Sequence, residues 1–499
     1  MTYTWMLICT WLGFANPLLQ LPVLVLAWPL GLAHLARSSS SLGQALKRGW
    51  LAGLLVCSAC LYWVALPIKD YTSLPLLLAL PVPVLLGAYL GLYSGVFCLA
   101  LSWARPRLPW LSLGVFAALL WICLEYLRSS LLSGFPWLNL TQALAPWPWS
   151  LKLLPLLGSF YFSGLMVLFS VWLVSGLEHK KALLAAGLLL LGCACGTLLY
   201  EQELPLDPQG MRISLIQGNI DQNQKWEPEY QQQTVQTYLK LSQEALQTQD
   251  SRLLIWPETA MPFYLQEESE LQHKVLDFVE QEEIYLITGA PGYTYLDQDD
   301  YQLYNRAYLL EPSGGISAHY DKERLVPFGE YVPLKGLLPL SKLVSGTSDF
   351  SSGQEIGPLQ VESLALGTLI CYEVIFPQLV QKRVQQGSNV LLNISNDAWF
   401  GRTSAPRQHL HQAVLRALEQ KRWILRGTNT GISAIVSPRG EIQAASDLFQ
   451  AQTLNSAISA INQKTFFSRH FDSFSKAAWI CLILFVLLAW ENSRSSTHK

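Results

Sequence analysis

Charge is scarce in this chain. Of 499 residues only 14% are Asp, Glu, Lys or Arg, while 51% are hydrophobic and 18 are tryptophan. With a mean hydropathy of +0.25, that composition excludes an ordinary soluble protein of this length. An excess of either sign is lacking as well: the formal net charge is -2, and the basic residues form no patch. Nucleic acid is therefore not an expected partner. No internal repeat or low-complexity linker is evident. The first apolar segment has no basic region before it and no small-residue cleavage site after it, so it reads as an anchor rather than a cleaved signal. Cysteine outside apolar stretches is rarest of all. Eight of the nine cysteines (Cys9, Cys57, Cys60, Cys98, Cys123, Cys193, Cys195, Cys481) lie in strongly apolar runs and read as small buried hydrophobes. Cys57 and Cys60 form a single C-x-x-C pair with no second pair and no histidine nearby, which argues against zinc or redox chemistry.

What is present divides in two. Residues 1 to about 200 hold few charges, whereas 201–475 have the composition of a soluble domain, and 476–499 return to an apolar helix with a short polar tail. A bilayer core about 30 Å thick needs roughly 20 apolar residues in a helix. About eight spans are expected, near 3–16, 18–36, 49–67, 75–104, 110–127, 159–177, 182–200 and 476–490. The loops holding Arg37, Lys47 and Arg48, then Arg105 and Arg107, then Lys180 and Lys181, and the tail with Arg494 and Lys499 all fall on one side. By the positive-inside rule that side is cytoplasmic, which puts 201–475 on the opposite face. Trp137, Trp147 and Trp149, among prolines and leucines, suggest an interfacial aromatic belt, a lipid-substrate contact, or both.

Within the polar domain, the runs at 212–217, 252–258, 284–290, 365–370 and 389–395 are short, apolar and rich in β-branched residues, as strands buried on both faces are. Stretches 227–249, 267–282, 376–386 and 408–426 carry helical spacing, and turns at Pro312 to Gly315 and Ser437 to Gly440 predict hairpins. An α/β layered sandwich is the expected fold class.

Three strand ends carry reactive groups. Glu258 follows an apolar run and lies between Pro257 and Pro262; Lys322 precedes a proline-fenced run containing Glu330; Cys371 ends a strand-like run and is followed by Tyr372 and Glu373. Strand ends of layered α/β folds are where ligand sites assemble. A thiol near its ordinary pKa is only a few per cent thiolate at neutral pH, so a nucleophilic cysteine wants a base and a cation. Glu258 would be that base, and Lys322, with the backbone N–H after Cys371, would stabilise thiolate and oxyanion. Taken without the cysteine, Glu258 and Lys322 read as an ordinary ion pair. A thiol–imidazole arrangement with His319, His409 or His411 is the other option; residues i and i+2 do not share a helix face, so 409 and 411 do not suggest a metal site.

These motifs, with the segments at 133–138, 217–226 and 394–401, resemble the nitrilase superfamily and, within it, its integral inner-membrane branch, the bacterial apolipoprotein N-acyltransferases. The resemblance implies a nitrilase-like αββα sandwich joined to a polytopic helical membrane domain. It implies Glu258 as base, Lys322 as oxyanion stabiliser and Cys371 as nucleophile, with Trp226, Glu330, Tyr372 and Glu373 in support, and neither metal nor other cofactor. The implied donor is a phospholipid such as phosphatidylethanolamine, the acceptor a diacylglyceryl apolipoprotein, and the location a bacterial inner membrane with the catalytic domain facing the periplasm. A membrane-anchored amidase or other hydrolase using the same three residues stays open, as does a transporter, though Glu125 is one of few charges within the spans. The resemblance also implies an acyl thioester on Cys371, and Trp226 and 341–353 are the candidates for a mobile lid over it. Oligomeric state is not legible.

Overall fold

A computed structural model describes residues 1–71, 76–200, 210–222, 224–297, 300–331, 349–354 and 356–497. Long uncharged runs become long helices. Among the described residues, Pro81–Ala104, Trp110–Arg128, Leu154–Ser175, Lys180–Leu199 and Phe466–Arg494 are long and apolar enough to cross a membrane. Leu42–Cys60 and Tyr62–Lys69, bent by 62° at their junction, make a sixth if they are one span. The first two expected spans are shorter: Thr2–Gly13 has 12 residues, and the next apolar helical piece is Pro22–Arg37. Asn16 separates them, because its side-chain oxygen accepts from the N–H groups of Leu18 and Leu19 while its amide donates to the carbonyl of Phe14. This local satisfaction of the backbone, followed by Pro17, ends the helix. The fourth expected span begins at Pro81 rather than 75.

Helix pairs in an apolar solvent gain little from apolar burial and associate by close backbone approach. Leu42–Cys60 and Pro81–Ala104 illustrate it: a Cβ on Gly49 would stand 2.5 Å from the carbonyl oxygen of Ser94, and one on Gly91 2.7 Å from that of Trp50.

Among the described residues the polar domain contains twelve strands, β1 (Met211–Gln217), β2 (Leu253–Ile255), β3 (Tyr285–Tyr295), β4 (Tyr301–Leu310), β5 (Ile316–Asp321), β6 (Leu359–Val361), β7 (Leu364–Ile370), β8 (Val390–Ser395), β9 (Ile424–Thr428), β10 (Ala434–Val436), β11 (Ile442–Ala445) and β12 (Gln452–Ile458). They form two six-stranded sheets, β12-β1-β2-β3-β4-β5 and β11-β10-β9-β8-β7-β6. The inner pairs β1–β2, β2–β3, β7–β8 and β8–β9 are parallel and the outer ones antiparallel. Ile213, Ile255, Ile287, Ile370, Ile394 and Leu425 pack between the sheets. Helices Pro228–Thr248 and Glu270–Gln281 cover one outer face, through Val235, Tyr238, Val275 and Val279. Pro377–Gln385 and Ala405–Gln420 cover the other, and their core is continuous with that of the membrane half. The layer order is the expected αββα. The helical reading of 408–426 runs too far: Lys421 takes a left-handed φ of 50°, ends the helix, and lets the chain enter β9, a buried strand.

The two halves meet at Gln408. Its side-chain oxygen accepts from the indole N–H groups of Trp137 (2.8 Å) and Trp63 (3.1 Å), and its amide donates to the carbonyls of Ala15 and Cys60. Trp137, 1% exposed, is therefore interdomain core rather than part of an interfacial belt; Trp149, 63% exposed, keeps an interfacial character. Gln408→Leu would leave two buried indole donors unpaired at about 1–3 kcal/mol each. We expect the full-length variant in detergent to lose about 2–6 kcal/mol of stability, read from chemical denaturation; an unchanged midpoint would show that water replaces the amide.

Candidate functional site

Glu258 lies just beyond β2. The chain there is tight: Thr259 has a left-handed φ of 47°, and a Cβ on Gly289 of β3 would come within 2.5 Å of the Thr259 nitrogen, so only glycine lets β3 pass. One carboxylate oxygen of Glu258 accepts from the Asn305 side chain of β4 at 2.7 Å; the other accepts from the backbone N–H of Asn396, beyond β8, at 2.8 Å. Lys322 follows β5 and is 1% exposed. Its ammonium is 2.9 Å from Glu330 Oε1 and 3.6 Å from Glu258 Oε1. Asn305 donates to Glu330 as well, and the Val326 N–H fixes the second oxygen of Glu330. Cys371 follows β7 with a left-handed φ of 53°, at the start of a 3-10 turn, Cys371–Ile375.

Glu258, Lys322, Cys371, Trp226 and Glu330 all line one cavity of about 440 Å³. Its other walls are largely apolar, among them Phe263, Leu303, Phe350, Trp399 and Phe400, and the membrane half contributes Pro67. Tyr372 and Glu373 are not in the lining. The Tyr372 hydroxyl donates to the carbonyl of Gly134 at 2.8 Å, tying the cysteine turn to the membrane half. Glu373 is wholly buried and accepts from the Tyr320 hydroxyl and the N–H groups of Glu323, Arg324 and Ile370, which joins the end of β5 to the end of β7. Of the expected lid, residues 341–348 lie outside the described residues, while Phe350 and the 40% exposed Trp226 stand at the cavity.

Burial dominates the electrostatics. It pushes the Cys371 thiol up to about 12, the charge of Glu258 adds to the rise, and Lys322 opposes it. Burial also lifts Glu258 above the ordinary carboxylate range, against the pull of Lys322. For Lys322 burial works downward, but Glu330 and then Glu258 outweigh it and hold the ammonium well above its usual value. The resting site is thus a neutral thiol beside a firmly protonated lysine and a carboxylate of raised basicity, an arrangement suited to deprotonating a nucleophile only as it attacks.

Two further participants, Asn305 and Lys225, are not singled out by the sequence. Asn305 sits inside a strand with no motif around it. Lys225 precedes Trp226 in the 217–226 segment; its ammonium is buried on Thr259, 2.6 Å from the hydroxyl and 3.2 Å from the carbonyl, and burial pulls it down to about 7. None of His319, His409 and His411 lines the cavity that holds Cys371: His319 lies by Asp321 at 3.8 Å, and His409 Nε2 is 3.1 Å from the carbonyl oxygen of Cys371. Among the described residues no group of three or more His, Cys, Asp or Glu is placed to hold a metal ion.

Comparison with known proteins matches both halves. The family described as Apolipoprotein N-acyltransferase N-terminal domain matches residues 8–172, and the family described as Carbon-nitrogen hydrolase matches 212–463. An apolipoprotein N-acyltransferase of Geobacter metallireducens is 36% identical over 466 residues, covering 91% of this chain and 88% of that one. One from Nitrosomonas europaea is 33% identical over 495 residues, covering 97% and 96%. A solved Nesterenkonia AN1 amidase of the nitrilase superfamily overlays with a TM-score of 0.39 at 18% identity, covering 55% of this chain and 98% of that one.

The direction of each charge effect is measurable by following iodoacetamide alkylation of Cys371 by mass spectrometry at pH 9. The Glu258 carboxylate raises the thiol, so Glu258→Gln should hold more thiolate and react faster; the Lys322 ammonium lowers it, so Lys322→Met should hold less thiolate and react more slowly. Each change should be about threefold or more, since a charge a few ångströms away is worth roughly 1 kcal/mol or above in a partly buried site. Equal rates in all three proteins would separate the thiol from both groups.

Proposed function

As the chain belongs to the apolipoprotein N-acyltransferase family and is an acyltransferase, we propose that it moves the sn-1 acyl chain of a phospholipid, phosphatidylethanolamine, through a Cys371 thioester to the α-amino group of a diacylglyceryl-cysteine apolipoprotein. The observation that carries this reading is the convergence of Glu258, Lys322 and Cys371 on one cavity with apolar walls. As the sulfur attacks the ester carbonyl, Glu258 takes the thiol proton, and the Lys322 ammonium stabilises the oxyanion together with the N–H after Cys371. Collapse breaks the C–O bond; Glu258 returns the proton to the departing lysophospholipid oxygen and a thioester remains. The lipoprotein amine then attacks that thioester, Glu258 accepts its proton, the C–S bond breaks and the proton passes to sulfur. An amide is released with the free thiol restored.

The supporting residues take parts that follow from their partners. Glu330 holds Lys322 in place, Glu373 fixes the distance between the Lys322 and Cys371 segments, Tyr372 anchors the turn to the membrane half, and Trp226 acts as part of a lid excluding water. In this reading residues 1–200 are the membrane domain, 201–475 the catalytic domain on the periplasmic side, and 476–499 a final span and tail. The five long helices, the bent pair and two shorter helices at the amino terminus support about eight segments in the inner membrane of a bacterium. Such a location suits the chemistry, because lifting a 16-carbon chain into water costs on the order of 12 kcal/mol at about 0.8 kcal/mol per CH₂.

The test uses the full-length protein in detergent with phosphatidylethanolamine labelled in its sn-1 chain. We expect a hydroxylamine-sensitive label on Cys371, absent in Cys371→Ala and discharged as an amide on adding a diacylglyceryl-cysteine peptide. Discharge only as free fatty acid would favour the hydrolase, and a label that persists in Cys371→Ala would remove the thiol.

A further inference from the structure

The carbonyl of Cys371 is held from two elements. Asn393 of β8 donates its side-chain amide to it at 3.3 Å, and His409 of the helix Ala405–Gln420 approaches it with Nε2 at 3.1 Å. A carbonyl oxygen only accepts, so Nε2 carries the hydrogen whatever the charge of the ring. Behind the ring lies a closed set of partners. Asp397 and Arg426 bracket Nδ1 at 3.1 and 3.0 Å, Arg426 pairs with Asp397 at 2.7 Å and also donates to Asn393, and the Ser395 hydroxyl donates to Asp397 at 2.8 Å. His409, Asp397, Arg426 and Asn393 are each at most 1% exposed. On its open side the imidazole meets the Trp137 ring, 5.5 Å between centroids.

This cluster addresses a strained residue. A left-handed φ at a non-glycine costs roughly 1–2 kcal/mol and persists only where the surroundings over-determine it. The Cys371 carbonyl and the Tyr372 N–H are also opposite edges of one planar trans peptide, so holding the first fixes the direction of the second. We infer that His409 is a positioning residue: its Nε2–H, backed by Asp397 and Arg426, sets the Cys371–Tyr372 peptide plane and thereby aims both the thiol and the oxyanion-binding N–H at the ester carbonyl. The inference rests on Cys371 being the nucleophile, as proposed above.

The test is the pre-steady-state rate of acyl-enzyme formation from labelled phosphatidylethanolamine, measured with full-length parent, His409→Ala and His409→Gln. A displacement of about 1 Å at reacting atoms costs on the order of a hundredfold in rate. His409→Ala should therefore acylate about a hundredfold more slowly with its half-saturating lipid concentration within about threefold of the parent's, and His409→Gln, whose amide restores an N–H donor, should recover about tenfold of that loss. Parent-like rates in both variants, a loss confined to half-saturation, or a glutamine variant no faster than alanine would each overturn the inference. If His409→Ala does not fold, His409→Gln decides alone: a rate within about thirtyfold of the parent supports the positioning role, and a slower one overturns it. A parent that forms a thioester at Cys371 while the His409 variants react normally removes only this inference; a parent that forms none removes the thioester reading and this with it.

Discussion

The ammonium of Lys322, buried between two carboxylates, is the interaction on which the site depends. An isolated charge at that depth would be too costly to keep, and a buried pair is favourable only if its remaining lone pairs and hydrogens are also satisfied. The structure meets that condition from several directions: Asn305 reaches both Glu258 and Glu330, the Val326 N–H holds Glu330, and the Asn396 N–H holds Glu258. Each donor comes from a different stretch of chain, so the charge cluster also fixes how those stretches sit together. Breaking any one of these contacts leaves a buried carboxylate oxygen with one donor fewer, which makes the geometry stiff at the cavity.

A second dependence runs between the halves. The helix Ala405–Gln420 faces the membrane half with Gln408 and Gln412 and the cysteine turn with His409. Gln142 extends the link by donating to the Gln408 carbonyl and accepting from Gln412. Tyr372 adds a separate tie to Gly134. The cysteine turn is thus braced against the same loop that a reading of aromatic content assigns to the bilayer interface. Around these polar contacts the membrane half and the sandwich share one continuous hydrophobic core.

Much of this was legible in the sequence, for identifiable reasons. The five buried strands read at 212–217, 252–258, 284–290, 365–370 and 389–395 all exist, because short β-branched runs bounded by turn residues have few other homes. Both hairpins fall where Pro312 to Gly315 and Ser437 to Gly440 place them. β9 was hidden because its apolar residues continue the spacing of the preceding helix, and only the left-handed Lys421 marks the break. Trp137 was misread because a tryptophan among prolines looks the same whether lipid or a buried glutamine receives its N–H. Asn305 left no trace, and His409 was legible only as a possible partner of the thiol rather than of the Cys371 carbonyl, since their partners lie far away in the chain and sequence spacing records only local geometry.

The Asn396 N–H to Glu258 contact joins the end of β8 in one sheet to the residue beyond β2 in the other. Stacked sheets are held apart by the side chains between them, at about 10 Å. Ile255 and Ile394, which fill that gap, therefore act as the gauge block of the cavity: apolar residues with no chemistry of their own determine how closely the Glu258 carboxylate and the sheet that carries Cys371 approach each other.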